Sequence, residues 1–232
     1  FSFNKLRGLD AYLSPEMKST GEAIGYDDKL LDTAEPFHLW VIEGDFESEL
    51  PLEKAGINVI WTNDVSQYKK MKVRILNGAH TSLVFPSLIS NVPIVRESIE
   101  NETLGAFLHK CIFDCIISTI GDTEENIAFA KAVLERFANP YINHLWRSIS
   151  LNSVSKFSVR VLPTIKEYYQ KNGVCPRPLV FALACLIKYY KTENPSDNES
   201  VIEKIRALDL EGITNDKELF GEDISFLGEE HF

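Results

Sequence analysis

Apolar positions along this 232-residue chain follow two rhythms. Near the start, "PFHLWVIEGD" (36–45) and "INVIWTND" (57–64) are β-branched and aromatic runs closed by Gly, Asp or Asn, the signature of short strands that can pair as a small sheet. From Gln67 onward the spacing lengthens to that of helices. "QYKKMKVRIL" runs through Gly78 into "HTSLVFPSLI", with Gly78 and Pro86 expected as kinks or boundaries. Thr103 to Ile120 reads as an apolar helix. Asp122, with Glu125 three residues on, makes a capping-box-like start for "TEENIAFAKAVLERFA", which Asn139-Pro140 stops. Further helices are expected over about 141–152, 162–171 and 178–191 and across "NESVIEKIRAL". Residues 1–26, punctuated by Gly8, Pro15, Gly21 and Gly25, read as loop with one short helix after Pro15. "KTENPSDNES" reads as a polar loop, and the tail "TNDKELFGEDISFLGEEHF" as weakly structured. The expected architecture is mostly helical with a small strand element near the N-terminus, without repeats or low-complexity tracts.

Composition narrows the partners. A net charge of -10 and a pI near 5.1 argue against the broad basic surface that a phosphate backbone requires, so nucleic acid is not an expected partner. An anionic small substrate stays open, because a local pocket can be basic on an acidic protein. The four cysteines, at 111, 115, 175 and 185, lie in or beside apolar runs, which suits reduced core thiols and a cytoplasmic location better than a disulfide framework. No apolar stretch reads as reaching the roughly 18 residues of a membrane span, and no membrane is expected as a partner. His109, Cys111 and Cys115 share one helix, but the spacing and the want of a fourth ligand make a metal site a weak reading, and none is expected. No two of the 12 glycines are separated by a single residue, so the glycine loop that brings backbone against a dinucleotide's phosphates is not seen.

One segment carries chemistry. In "KVRILNGAH" (72–80) a cation, an amide and an imidazole sit in an otherwise apolar and small-residue run, spaced K-x4-N-x2-H. On an ideal helix at about 100° per residue, Asn77 lies roughly 140° and His80 roughly 80° round from Lys72, so all three share one side. The plain alternative has Lys72 reaching solvent, Asn77 and Gly78 ending a turn, and His80 packed in the core. A lysine that exchanges protons near neutral pH must have its pKa pulled from about 10.4 toward 7 or 8, at a cost to the charged form of roughly 3–4 kcal/mol. Burial and nearby cations do this, and Lys69, Arg74 and the apolar neighbours offer both. Asn77 and a neutral His80 would then hold and polarise a substrate oxygen.

"KVRILNGAHT", with "LLDTAEPFHLWVIEGD" (30–45) and "SISLNSVSKFSVRVLPT" (148–164), resembles the long-chain polyol dehydrogenases, the mannitol dehydrogenase and tagaturonate reductase (altronate oxidoreductase) group, and the tagaturonate reductase branch most. The similarity runs from about Gly25 to Phe226. It implies a multi-helical domain like the C-terminal domain of 6-phosphogluconate dehydrogenase and an NAD-dependent interconversion of a keto sugar acid with its polyhydroxy acid. By the same resemblance Lys72 is the general base or proton donor and Asn77 and His80 orient the reacting oxygen. Lys156 lies at the substrate, where it would suit an acid's carboxylate, with a solvent-facing lysine as the alternative; Asn152 and Arg147 are weaker substrate candidates. His38, among apolar neighbours in the first strand, is either a buried structural histidine or part of the pocket lining. Mannitol enzymes carry an acidic residue where this chain has Lys69, a departure from an acidic proton relay. The group also has an N-terminal Rossmann domain that holds the NAD, and that partner domain is not expected within residues 28–232, so little turnover is expected of the chain alone.

Residues 1–27, "FSFNKLRGLDAYLSPEMKSTGEAIGYD", resemble instead a stretch of the carbamoyl phosphate synthetase large subunit. Nothing downstream continues that likeness, so these residues are set apart as a leader, and Lys18, Ser19 and Thr20 stay out of the candidate site. Two rivals to the leading reading remain: a mannitol or fructuronate reductase relative, and a non-catalytic helical interaction or regulatory module.

Overall fold

β-Branched and aromatic residues build the strands where they are expected. The structure, a computed structural model, describes Gly25 and residues 38–228, so the leader likeness and the helix expected after Pro15 lie outside the described residues. The chain clusters into two units, Phe1–Ser66 and Gln67–Phe232. In the first, β1 (Trp40–Glu43) pairs with β2 (Val59–Thr62) in the register Trp40 to Val59 through Glu43 to Thr62. The pairing is parallel, although the sequence lacks the strand–helix alternation that usually builds such pairs. The connection over 44–58 is pinned instead by the Glu47 carboxylate, which accepts from the Trp61 indole at 3.1 Å and from the Glu53 and Lys54 amides.

The second unit is built mainly of helices. Helix α1 (Ser66–Met71) leads without a break into a wide π-helical segment, Lys72–Asn77, and on into α2 (Gly78–Ile89). Neither Gly78 nor Pro86 ends the helix. Gly78 leaves room for a side chain: a Cβ there would lie at ordinary contact distances, 3.4 Å from the Arg160 carbonyl and 3.5 Å from Ile116 Cδ1. Then come α3 (Val95–Glu100), α4 (Glu102–His109), a second π-helical segment at Lys110–Ile117 and α5 (Ser118–Ile120). Together residues 102–120 make a helix long and apolar enough, by length and composition, to cross a membrane, which corrects the expectation that no stretch reaches that length. Its buried stripe, Leu104, Leu108, Cys111, Ile112, Cys115 and Ile116, belongs to the core, while Lys110 and Asp114 face out.

Helix α6 (Glu124–Phe137) begins one residue later than its acidic start predicts: the cap is Thr123, whose hydroxyl accepts from the Asn126 amide, and not Asp122. The helix expected over about 141–152 is replaced by an extended stretch and a short α7 (Trp146–Ile149). Backbone hydrogen bonds from Val95 to His144 and from Trp146 to Pro93 hold that stretch against the start of α3. Helix α8 (Ser153–Arg160) lies where no helix is expected, whereas α9 (Leu162–Asn172), α10 (Arg177–Thr192) and α11 (Glu199–Ala207) follow closely the expected pattern.

The tail overturns its reading as weakly structured. It forms α12 (Leu210–Asn215) and α13 (Lys217–Phe220), and Leu219, Phe220, Ile224 and Leu227 are buried in the same core as Trp146 and Phe157. All four cysteines are buried. The architecture is mostly α with one small strand pair.

Candidate active site

The wide turn at Lys72–Asn77 changes the geometry of the K-x4-N-x2-H segment. A π-helical turn closes its hydrogen bond five residues back, here from the Gly78 amide to the Val73 carbonyl, so each turn takes in an extra residue. Asn77 is thereby rotated back toward the side of Lys72, more tightly than an ideal α-helix allows. The Asn77 carbonyl accepts from the Thr81 hydroxyl at 2.8 Å, and among the described residues its side-chain amide makes no hydrogen bond.

Lys72 is partly buried and, among the described residues, has no hydrogen bond or ion pair. Burial, joined by the positive charges of Arg136 and Arg160, holds its pKa below the ordinary lysine value. The cations differ from those nearest in sequence. Lys69 is exposed, and Arg74 is occupied elsewhere, donating to Thr164 Oγ1 at 2.8 Å and to Glu167 at 2.7 Å. Arg74 thus braces the π-helical segment against α9.

His80 packs its ring on Phe137 at 4.0 Å between centroids, and meets His144 at 5.7 Å and Trp146 at 6.1 Å edge-on. Although the residue keeps some accessible surface, the ring is desolvated. Burial first, then the charges of His144, Arg160, Arg136 and Lys156, push its pKa down to about 3, so the imidazole is neutral at physiological pH. His144, open over much of its surface, is also held below its usual value by desolvation. Trp146 is fixed behind this cluster by its indole N–H, which donates to Ser98 Oγ at 2.8 Å.

The remaining candidates divide. Lys156 is partly buried and neither solvent-facing nor free: its Nζ donates to the Ile149 carbonyl at 2.7 Å. Desolvation and Arg160 lower its pKa, and Asp197 opposes them. Asn152 is exposed and left-handed (φ 52°), the turn residue that starts α8; its amide donates to the Ser196 carbonyl. Arg147 is exposed on α7. Neither makes a hydrogen bond with Lys72, Asn77 or His80 among the described residues. His38 is exposed rather than buried, because it precedes β1 and turns its ring to the chain edge, where Nε2 accepts from the Asn58 amide at 3.1 Å. It belongs to the first unit. His109 stacks on Phe113 at the surface, whereas burial pushes the Cys111 and Cys115 thiols up, so the three do not share a site.

Sequence reasoning missed Arg136, Arg160, His144 and Thr81. Arg160 had a signal, since it lies one helical turn after Lys156 and shares its face. Arg136, in the last turn of α6, had none.

Comparison with known proteins decides the family: residues 64–221 match the model described as the mannitol dehydrogenase C-terminal domain. The chain belongs to this family. An altronate oxidoreductase of Bacteroides thetaiotaomicron is 42% identical over 184 residues, covering 78% of this chain and 38% of that protein. One of Halalkalibacterium halodurans is 43% identical over 173 residues, covering 73% of this chain and 34% of that protein. This member of the family therefore spans about two-fifths of the length of the relatives it matches. A substrate-free D-sorbitol dehydrogenase structure superposes with a TM-score of 0.73 at 26% identity, covering 87% of this chain and 44% of that one. The fold also matches Pseudomonas fluorescens mannitol 2-dehydrogenase, solved with NAD and D-mannitol, with a TM-score of 0.64 at 21% identity over 85% of this chain and 40% of that one.

Proposed function

We propose that this chain carries the proton-transfer half of an oxidoreductase that interconverts a keto sugar acid and its polyhydroxy acid, the altronate–tagaturonate pair being the leading substrates. The observation that carries the reading is the unengaged, partly buried Lys72, on the same turn as an amide that is also unspent, sharing the influence of the Arg136 and Arg160 guanidiniums with the neutral His80 imidazole. In alcohol oxidation the neutral Lys72 amine takes the hydroxyl proton; in reduction its ammonium returns it. The Asn77 amide and the neutral His80 ring donate hydrogen bonds to the reacting oxygen, steadying charge as it develops. The similarity to altronate oxidoreductases favours an acidic sugar over a neutral polyol.

When bound, NAD supplies the hydride chemistry. The described residues do not fit it: β1 and β2 are joined by irregular chain, and no glycine turn leads from a strand into a helix N-terminus. We assign NAD binding to a Rossmann portion outside the described residues, and the protein to the cytoplasm. Tyr141, Ile142 and Leu145, exposed apolar side chains flanking His144, fit a surface that another part of a longer enzyme covers.

The test is NAD-linked turnover by the complete open reading frame encoding this chain, with altronate in one direction and tagaturonate in the other. Lys72→Ala is expected to lower kcat by about 10²–10⁴-fold with the fold intact. Unchanged turnover removes the catalytic assignment.

A further inference from the structure

The candidate site is rich in cations, and they are not equally available. On α8, Lys156 and Arg160 lie one turn apart on the same face. Lys156 spends its Nζ on the Ile149 carbonyl at 2.7 Å and has Asp197 as an electrostatic neighbour. Arg160 is partly buried and, among the described residues, pairs with no carboxylate. Its one polar contact there is long, Nη1 to Thr81 Oγ1 at 3.4 Å. That contact ties the guanidinium to the residue after His80, and the same hydroxyl donates to the Asn77 carbonyl. The Arg160 backbone carbonyl also lies at van der Waals distance from the position of a Cβ on Gly78, 3.4 Å. The guanidinium therefore stands beside the K-x4-N-x2-H segment with most of its five donors unspent.

We propose that Arg160, rather than Lys156, recognises the carboxylate of the sugar acid substrate. The inference rests on the sugar-acid reading above and adds the residue that makes the site select an acid. A guanidinium fork matches a planar carboxylate in two parallel hydrogen bonds, which a lysine cannot do. Its desolvated charge, sensed by Lys72 and His80, is neutralised when the substrate anion arrives. A dinucleotide phosphate offers similar chemistry, so the test must separate the two anions.

Arg160→Gln and Arg160→Lys are made in the complete open reading frame and assayed with altronate and NAD varied independently, with thermal unfolding checked for each. Arg160→Gln is expected to raise the KM for altronate about a hundredfold, as for loss of one partner of a hydrogen-bonded charge pair, with a smaller fall in kcat as Lys72 loses a neighbouring cation, and to leave the KM for NAD within threefold. Arg160→Lys, which keeps the charge and the packing of the stem, is expected to recover about tenfold of that loss. A raised KM for NAD alone assigns the residue to phosphate, and a fall in kcat with unchanged KM assigns it to tuning Lys72; either overturns the proposal. So does wild-type behaviour in both variants. Wild-type failure to turn over any sugar acid would instead remove the reading on which the proposal rests.

Discussion

Among the described residues two helices each contain a π-helical segment, and only one of them carries the candidate site. Lys72–Asn77 and Lys110–Ile117 both widen the helix beside the core, and Ile116 of the second packs against Gly78 of the first. In the first, the widened turn draws an amine and an amide together where three other elements bring up Arg136, Arg160 and His144. In the second, the inward positions are Cys111, Ile112, Cys115 and Ile116, and the polar Lys110 and Asp114 face out. Burial lowers the lysine pKa in one and raises the thiol pKa in the other, because it disfavours whichever form is charged. A thiol so raised is a poor nucleophile. The backbone irregularity is common to both; the surrounding charges make the difference.

Glycine substitutions sharpen the contrast most. A Cβ at Gly105, in the second helix, would meet the Ile99 backbone carbonyl at 2.6 Å, so Gly105→Ala must displace α3 and is expected to cost about 1–3 kcal/mol in denaturant unfolding. At Gly78 the same methyl finds ordinary contacts at 3.4–3.5 Å, and removing a helix glycine gains up to about 1 kcal/mol. Gly78→Ala is therefore expected to fold at least as well as the parent and to keep its activity. Loss of activity without loss of stability would show that the fit of α8 against this turn is tighter than these contacts imply.

Acid titration separates the helices next. His80 has a folded pKa near 3 against 6.5 when unfolded, so below pH 6.5 the unfolded chain binds the extra proton. Stability then falls as pH drops from 6.5 toward 3, and Arg136, Arg160, Lys156 and His144, which face the ring, oppose its protonation. In His80→Gln that part of the slope is expected to vanish, and a slope unchanged in this variant would place the acid-sensitive group elsewhere. The smallest effect belongs to the second helix. Cys115→Ala is expected to cost about 1 kcal/mol of stability and to leave kcat unaltered, whereas a kinetic effect would make that segment functional after all.

Local pattern disclosed the strand pair and most helices, and it singled out Lys72 and Asn77 on the first wide turn with His80 just beyond it as candidates. It could not disclose what distant backbone arranges. The segment around Ile142 and Leu145 carries helix-compatible residues, yet hydrogen bonds to Pro93 and Val95, some fifty positions earlier, hold it extended and so carry His144 and Trp146 to the His80 ring. Arg136 and Arg160 look like ordinary last-turn cations of their helices. The wide turn itself left no mark, since nothing in "KVRILN" distinguishes five-residue from four-residue closure. The family resemblance pointed to Lys156 as a candidate, but the engagement of its ammonium was not legible, because the partner is a main-chain carbonyl.

The ordered tail bears on where the gene product is cut. The match to the mannitol dehydrogenase C-terminal domain ends at residue 221, yet Ile224 and Leu227 beyond it are fully enclosed, and Phe220 takes the Ser158 hydroxyl on its carbonyl. Each enclosed aliphatic group is worth roughly 1.5–3 kcal/mol. A clone trimmed at that border would strip enclosed side chains from the core that also holds α8, and would be expected to lose stability for want of a few C-terminal residues.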